Sequence, residues 1–388
     1  MAADLFFTDE HNLLRQSVRE FVQRELVPHA EEWEEEGFFP DWVFKRLGEL
    51  GYLGLHFPEE YGGGGGDYFT DIVLMEELAN CGSFGVNTGV AVQLGMATPP
   101  ILKFGSEEQK QRYLVPAIQG ERIACLGITE PEAGSDVSNV KTFAEKANGG
   151  WKVNGNKIFI TNGWRADFMT LLARTDKEKK GYRGMSIFLV DTDTPGFVKS
   201  RKLEKVGQRS SDTAEIFFED MFIPEDAMMG EEGRGFYNIM WELQGERLIV
   251  AVAVIAIAEV TLQQAVEYGK ERVQFGKPII KNQALAHRVA DLATELEAAK
   301  SLTYLTAWKY DQGEYPVKEI SMAKLMSTQV AFRVTDEAVQ LMGGYGYMME
   351  YPVQKAWRDM RIARIGGGSD EIMREIIATT MGLYQRTG

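Results

Sequence analysis

The sequence predicts an α+β protein of several domains, with helices at both ends of the chain and strands in its middle. The chain has 388 residues, which suggests two or three domains at roughly 150 residues each. Apolar residues recur at helical spacing near both ends, whereas the middle holds short β-rich runs between Gly and Asn turns. We therefore expect a helical domain over residues 1–122, a β domain over 123–233 and a helical domain over 234–388.

The N-terminal helices are predicted from two amphipathic stretches, DEHNLLRQSVREFVQREL and DWVFKRLGELGYLGL. The run YGGGGGD at 61–67 interrupts them, because each glycine in a helix costs ~1 kcal/mol relative to alanine. We interpret this run as a surface loop. It lacks the pattern of a dinucleotide-binding loop, since Asp67 replaces the third glycine and no strand precedes it.

The strands of the middle domain are predicted from three stretches, KTFAEKANGGWKVNGNKIFITNG, MSIFLVDTDTPGFVKSRKL and TAEIFFEDMFIP. Each contains β-branched and aromatic residues bounded by turn residues. Beyond residue 234 the apolar spacing becomes helical again. It predicts long helices over 235–271, 282–312, 316–341 and 369–385.

Charge and hydropathy exclude several classes of protein. The formal net charge is −15, whereas a nucleic-acid binder needs a basic face to displace counterions. The longest apolar run is shorter than the ~18 residues that a membrane span requires. The N-terminus shows no signal-peptide pattern. We therefore expect a cytoplasmic protein that binds neither nucleic acid nor membrane.

Cysteine and histidine usage predicts neither disulfides nor a metal site. Cys81 and Cys125 lie far apart in sequence and form no CxxC motif, which favours a reducing compartment. The histidines show no metal-ligand spacing: His11, His29, His56 and His287.

Two polar stretches in the middle domain could contact a ligand. In LGITEPEAGSD, at 126–136, a Pro-Gly turn separates Thr129 from Ser135 and suits a phosphate or a polar ring edge. Thr161 ends the strand of ITNG and could present its hydroxyl. An ordinary turn and an ordinary strand threonine explain the same residues.

A glycine pair and a glycine triplet adjoin predicted helices in the C-terminal domain. Gly343 and Gly344 follow a helix, where they serve either as a C-cap or as a surface that a flat ligand approaches. IGGGSDEIMRE, at 365–375, opens a helix for which Ser369 is a suitable N-cap. Its three glycines exceed what a cap needs, which favours close approach to a bound molecule.

An isolated carboxylate stands before the most apolar helix. In LQGERLIVAVAVIAIAEV, at 243–260, Glu246 precedes a run from Leu248 to Ala258 without polar residues. A helix-start acid that interacts with the helix dipole is the simplest explanation.

Five motifs, taken together, resemble those of the acyl-CoA dehydrogenase family, in family order and over essentially the whole chain. They are TEPEAGSD, GNKIFITNG, VGQRSSDTAEIFFED, RVQFGKPI and QLMGGYGY. The resemblance implies a helical N-terminal domain, a middle β-barrel domain and a C-terminal four-helix bundle. It also implies a homotetramer that binds one non-covalent FAD per subunit.

The resemblance assigns cofactor contacts by position. It places Leu126, Ile128, Thr129, Phe159 and Thr161 around the flavin ring, and Ser135 near the pyrophosphate. Positions that reach the FAD of a neighbouring subunit are Arg272, Gln274, Phe275, Gln283, Gln340, Gly343 and Gly344. Ser369 and Glu371 match cofactor contacts that follow the catalytic loop.

The reaction implied by the resemblance is α,β-desaturation of an acyl-CoA thioester. A carboxylate removes the α-proton, and the β-hydrogen passes as hydride to flavin N5. In many members the base is a glutamate within the loop, but here Gly367 occupies that position. In the long-chain and isovaleryl branches the base comes from a helix in an ERL context, which matches Glu246. Glu242, one turn earlier, is the competing candidate.

The implied substrate contacts are Ser135, Leu243, Arg247 and Gly367, with the Gly367 N–H polarising the thioester oxygen. An uncharged pocket floor at Ala91, Val92, Leu94, Gly95 and Met96 favours a medium-chain, long-chain or branched acyl group. The implied electron acceptor is an electron-transfer flavoprotein. The alternatives are an acyl-CoA oxidase, a dehydrogenase of an aromatic or alicyclic pathway, a DNA-associated relative and a cofactor-free helical scaffold.

Overall fold

The computed structural model describes residues 5–384, in which helices precede and follow a sheet. The N-terminal part begins with α1, which Thr8 and His11 start with a reciprocal capping box. The predicted glycine loop is confirmed as non-helical over 62–67, while Tyr61 ends the short 3-10 helix Glu59–Tyr61. The helices here are α1 (Asp9–Phe21), α2 (Ala30–Glu36), α3 (Trp42–Glu49), α4 (Tyr68–Leu78), α5 (Phe84–Val92), α6 (Pro99–Phe104), α7 (Glu107–Gln109) and α8 (Val115–Ile118).

The middle part is one eight-stranded sheet. Its hydrogen-bonded path runs β6-β7-β3-β2-β4-β5-β8, and β1 pairs in parallel with β4. The strands are β1 (Ala124–Gly127), β2 (Phe143–Ala147), β3 (Gly150–Thr161), β4 (Phe168–Arg174), β5 (Met185–Asp191), β6 (Phe197–Lys202), β7 (Thr213–Pro224) and β8 (Met228–Met229).

Strand β4 is buried on both faces, which joins the sheet to the N-terminal helices. Met169 and Leu171 pack inside the sheet's own core. Phe168 and Leu172 point the other way and pack in a cluster that includes Ile101 of α6. Alternate residues of a strand face opposite sides, so one strand contributes to two cores.

The C-terminal part consists of long helices around α9. The sequence predicted four of them but missed the short α12. The elements are α9 (Gly235–Glu271), a hairpin of β9 (Val273–Gln274) and β10 (Lys277–Pro278), α10 (Gln283–Asp311), α11 (Val317–Met342), α12 (Pro352–Met360) and α13 (Asp370–Thr380).

Helix α9 is the central element of the molecule. It is the one helix within residues 5–384 that is long and apolar enough to cross a membrane, with a mean hydropathy of 2.0 over its most apolar window, yet 67% of that window is buried in the protein. It packs against α4, α5, α10, α11 and α12. A helix that is apolar all round belongs in such a core, and this burial explains the uninterrupted run from Leu248 to Ala258.

Candidate active site

Glu246 lies on α9 just before the buried apolar run, and its side chain is partly buried. Burial raises the pKa of the Glu246 carboxyl, while Arg247 and Lys324 oppose that rise by their positive charge. A raised pKa brings a carboxylate closer to the range useful for a general base.

Gly367 lies directly against this carboxylate. A Cβ atom added at Gly367 would stand 3.1 Å from Oε1 of Glu246. Gly367 also has φ +64° and its neighbour Gly368 φ +100°, backbone conformations that glycine adopts far more readily than other residues. The missing side chain of Gly367 therefore leaves the space that Glu246 occupies.

Two buried cations hold the loop that contains Gly367. Arg247, 3% exposed, donates from Nε to the Gly367 carbonyl at 3.1 Å. Lys324, fully buried, donates from Nζ to the Gly368 carbonyl at 2.6 Å, and its burial lowers its pKa to about 8. These bonds face the carbonyl side of the loop. The Gly367 N–H donates to no acceptor among residues 5–384, so it remains available to a substrate oxygen.

Two residues that the resemblance predicts to contact a flavin share a hydrophobic cluster with the helix that carries Glu246. Leu126 and Ile128 pack in one hydrophobic cluster with Leu243 of α9. Leu243 precedes Glu246 by three residues, which puts it about one turn away. One cluster thus contains two residues predicted to contact the flavin, Leu126 and Ile128, and one predicted to contact the substrate, Leu243.

Phe159 lies where the pairing of β3 with β7 shifts register, between Lys157 and Ile160, whereas Thr161 ends β3 paired with Thr213. Phe159 has φ +62° and is 65% exposed. The backbone N–H of Ile158 donates to the Thr129 carbonyl at 3.0 Å, which fixes the two segments side by side. An aromatic ring turned out of a strand in a strained conformation is suited to a flat ligand.

Ser135 is exposed on the connection between β1 and β2. Neither its hydroxyl nor those of Thr129 and Thr161 bonds to any side chain or backbone atom within residues 5–384. Hydroxyls without a partner in the protein are polar contacts that a bound cofactor could use.

A buried ion pair beneath this surface was not predicted. Nζ of Lys157 donates to Oε1 of Glu130 and to the Ile128 carbonyl, both at 2.8 Å. Burial lowers the pKa of Lys157 to about 8, against the attraction of Glu130. The pair ties the 128–130 segment to β3. The sequence signal that could have indicated this pair is the lysine among the strand residues of GNKIFITNG.

Lys157→Met should destabilise the protein by about 3–5 kcal/mol, because it leaves the Glu130 carboxylate buried without its cation. Denaturant unfolding measures the loss. Lys157→Met combined with Glu130→Leu should recover part of it, since neither charge then remains. Equal stability of the single variant and the natural protein would contradict the structural role of this pair.

Six of the predicted cofactor positions form a separate surface groove of about 580 Å³. They come from the β9–β10 hairpin and the end of α11, where Gly343 is the C-cap. The six are Arg272, Gln274, Phe275, Gln340, Gly343 and Gly344. Arg272 follows Glu246 by 26 residues, which along α9 corresponds to about 39 Å. The groove is thus remote from Glu246 of its own chain.

Three other predicted cofactor residues lie outside that groove. Gln283 is the exposed first residue of α10. The Ser369 hydroxyl accepts from the Ile372 N–H, so its predicted role as N-cap of α13 is confirmed. Glu371 is exposed in the first turn of the same helix.

The cysteines and potential metal ligands offer no further chemistry. Cys81 and Cys125 are free and buried, and burial raises the pKa of both thiols. No group of three His, Cys, Asp or Glu side chains within residues 5–384 could hold a metal ion.

Comparison with known proteins decides the family. The models of the acyl-CoA dehydrogenase N-terminal, middle and C-terminal domains match residues 8–121, 125–221 and 233–382. The chain belongs to the acyl-CoA dehydrogenase family. Acyl-CoA dehydrogenases are flavoprotein oxidoreductases, and the three matches follow the helix, sheet and helix order of the structure.

Individual acyl-CoA dehydrogenases match the chain over most of its length. The probable acyl-CoA dehydrogenase YngJ of Bacillus subtilis (strain 168) is 40% identical over 96% of this chain and 97% of its own. The mouse mitochondrial long-chain specific enzyme is 38% identical over 96% and 86%. The short-chain specific enzyme of Megasphaera elsdenii is 40% identical over 95% and 97%. The relatives thus include both long-chain and short-chain specific enzymes.

Solved structures of similar chains agree with this acyl-CoA dehydrogenase fold. The butyryl-CoA dehydrogenase of Megasphaera elsdenii superposes with a TM-score of 0.93 at 39% identity, covering 97% of this chain and 98% of its own. The FAD complex of PigA gives 0.93 at 29% identity, with 97% and 98% covered. A chain from "Electron transferring flavoprotein of Acidaminococcus fermentans" gives 0.94 at 38%, with 97% and 98% covered.

Proposed function

We propose that this acyl-CoA dehydrogenase introduces an α,β double bond into an acyl-CoA thioester, with Glu246 as the base. The observation that carries the proposal is the position of Glu246 Oε1 against Gly367. The loop supplies no carboxylate at that point, and α9 supplies one instead. Glu246→Gln tests the proposal, because the amide does not accept the α-proton.

Glu246 and the residues around it have different roles in proton removal. The α C–H bond breaks, its proton goes to the Glu246 carboxylate, and its electron pair moves toward the thioester. The Gly367 N–H donates to the thioester oxygen, where negative charge develops. Arg247 and Lys324 hold the loop by its carbonyl oxygens and so keep that N–H directed at the site.

The residues predicted to contact the flavin have side chains that suit FAD. Leu126, Phe159 and the free hydroxyls of Thr129 and Thr161 offer apolar, aromatic and polar contacts to a ring system. When bound there, FAD would supply the acceptor for the hydride that leaves the β carbon. Related FAD-complex structures, such as that of PigA, support this choice of cofactor.

The remote groove favours a homotetramer in which each FAD contacts two subunits. The groove lies about 39 Å along α9 from Glu246, too far for one FAD to contact both directly in the same subunit. Arg272, exposed at its edge, offers charge-assisted donors to a pyrophosphate.

Arg272→Ala should lower the flavin content of the purified protein by at least about tenfold, from loss of a charge-assisted contact worth ~1.5–3 kcal/mol. Absorbance measures flavin per chain, and light scattering measures oligomeric state. Lys270→Ala, exposed on α9 outside the groove, is the matched control. Full flavin content in Arg272→Ala, or in a monomeric protein, would contradict the shared site.

The substrate is proposed to be a medium-chain, long-chain or branched acyl-CoA, supported by the uncharged lining at residues 91–96. Gly95 does not create open room, however. A Cβ atom at Gly95 would stand 3.2 Å from Cγ1 of Ile249. The absence of a side chain at Gly95 therefore lets Ile249 of α9 pack closely. A panel of short, long and branched acyl-CoA esters, compared by anaerobic flavin bleaching, tests this proposal. Bleaching by the short esters alone would contradict it.

An electron-transfer flavoprotein is the proposed acceptor, in keeping with the Acidaminococcus structure among the relatives. Turnover should then require that acceptor, and air should reoxidise the reduced flavin slowly. Rapid reoxidation by oxygen with hydrogen peroxide release would instead identify an acyl-CoA oxidase.

A further inference from the structure

Glu242, one turn before Glu246 on α9, is the more deeply buried of the two acids. Its side chain is 2% exposed, and both carboxylate oxygens lack a hydrogen-bond partner among residues 5–384. An ionised carboxylate buried without a partner is strongly unfavourable. The proposed reaction gives this acid no role.

The groups that face Glu242 offer it little compensation. Arg247 directs its Nε to the Gly367 carbonyl and makes no ion pair with Glu242 in the described chain. Tyr310 of α10 lies near Glu242, and Tyr68 of α4 packs against the Tyr310 ring. Asp71 of α4 lies near both tyrosines. The hydroxyls of Tyr68 and of Tyr315, in the α10–α11 connection, donate to the carbonyls of Gly245 and Met240. Lys324 of α11 faces Glu246 instead.

The remaining neighbour of Glu242 is Glu246 itself. Residues four apart on a helix lie on one face, within side-chain reach. Two carboxyl groups at such a short distance in a buried setting cannot both be ionised without strong repulsion. One proton shared between the two carboxyl groups removes the repulsion. It also gives Glu242 a hydrogen-bond partner.

We propose that Glu242 is a positioning residue that stays protonated and donates its O–H to the Glu246 carboxylate, so that the pair carries one negative charge. This inference rests on the proposed function, in which Glu246 is the base. The bond restrains the Glu246 carboxylate against Gly367. It also stabilises the ionised form of the base, which lowers the pKa of Glu246 relative to a buried glutamate without such a donor.

The sign of a pH shift distinguishes this arrangement from its alternative. Removing a neutral donor destabilises ionised Glu246 and raises its pKa, which moves the acid limb of the rate profile to higher pH. Removing a negative charge has the opposite effect. The test therefore compares Glu242→Met, which cannot donate, with Glu242→Gln, whose amide N–H₂ still can.

Stopped-flow flavin bleaching by an acyl-CoA, measured across pH, gives the acid limb. We expect Glu242→Met to move it upward by about one to two pH units, and Glu242→Gln to leave it nearly in place. A downward shift in either variant would show that Glu242 is ionised. Unchanged limbs in both would show that the acids do not interact, and either result overturns the proposal.

Infrared spectroscopy of the resting flavoenzyme tests the proton itself, without turnover. A protonated-carboxyl carbonyl band should be present in the natural protein, lost in Glu242→Gln and retained in Glu246→Gln. Absence of that band overturns the proposal even if Glu242→Met fails to fold. If Glu242→Gln abolishes bleaching while Glu246→Gln does not, the proposed function fails instead, because Glu242 is then the base.

Discussion

Glu246→Gln should reduce the rate of flavin bleaching by acyl-CoA by about 10²–10⁴-fold, the usual contribution of a positioned general base. Glutamine keeps the size of the side chain but does not accept the α-proton. Flavin content and acyl-CoA affinity should stay close to those of the natural protein, because Glu246 forms no ion pair that holds the fold within residues 5–384. Anaerobic stopped-flow absorbance measures the rate.

The matched control is Glu271→Gln at the other end of α9, where the side chain is exposed. It should leave the bleaching rate unchanged. A Glu246→Gln enzyme as fast as this control would remove Glu246 from the reaction. An inactive enzyme that had also lost its flavin would instead point to misfolding.

Gly367→Glu should lower activity as severely as Glu246→Gln. The new Cβ stands 3.1 Å from Oε1 of Glu246, so it displaces that carboxylate and places a second one beside it. A non-glycine residue at φ +64° also costs about 1–3 kcal/mol of backbone strain. Bleaching rate and thermal unfolding together measure the two effects.

The double variant Glu246→Gly, Gly367→Glu tests the same geometry in reverse. It removes the steric and charge conflict and returns a carboxylate to the loop. We expect part of the activity to return, most clearly with shorter acyl chains. A double variant no faster than Gly367→Glu alone would show that the loop cannot present a base in this chain.

The order of helices and strands was predictable because periodicity is a local property. The short helix α12 was missed, since it follows the glycine- and tyrosine-rich turn and spans only Pro352–Met360. Its start does carry a recognisable feature. Proline at the first helical position is favoured there, because its missing N–H would have no intrahelical partner.

The composition of the site was predictable only through the family motifs. Spacing in sequence does not show that Gly367 approaches Glu246, 121 positions earlier, or that Ile249 fills the space at Gly95. The Lys157–Glu130 pair and the burial of Glu242 likewise depend on how domains pack. The family motif favoured Glu246 over Glu242, and the structure adds that Glu246 lies against Gly367.

Exchange of the substrate α-hydrogen with deuterated water tests the central claim most directly. With the flavin reduced, hydride transfer is blocked, and exchange reports proton removal by the base alone. We predict that the natural protein and Glu271→Gln incorporate deuterium at the α carbon of acyl-CoA, as measured by mass spectrometry, and that Glu246→Gln does not. Exchange by Glu246→Gln at the natural rate would contradict the assignment of the base.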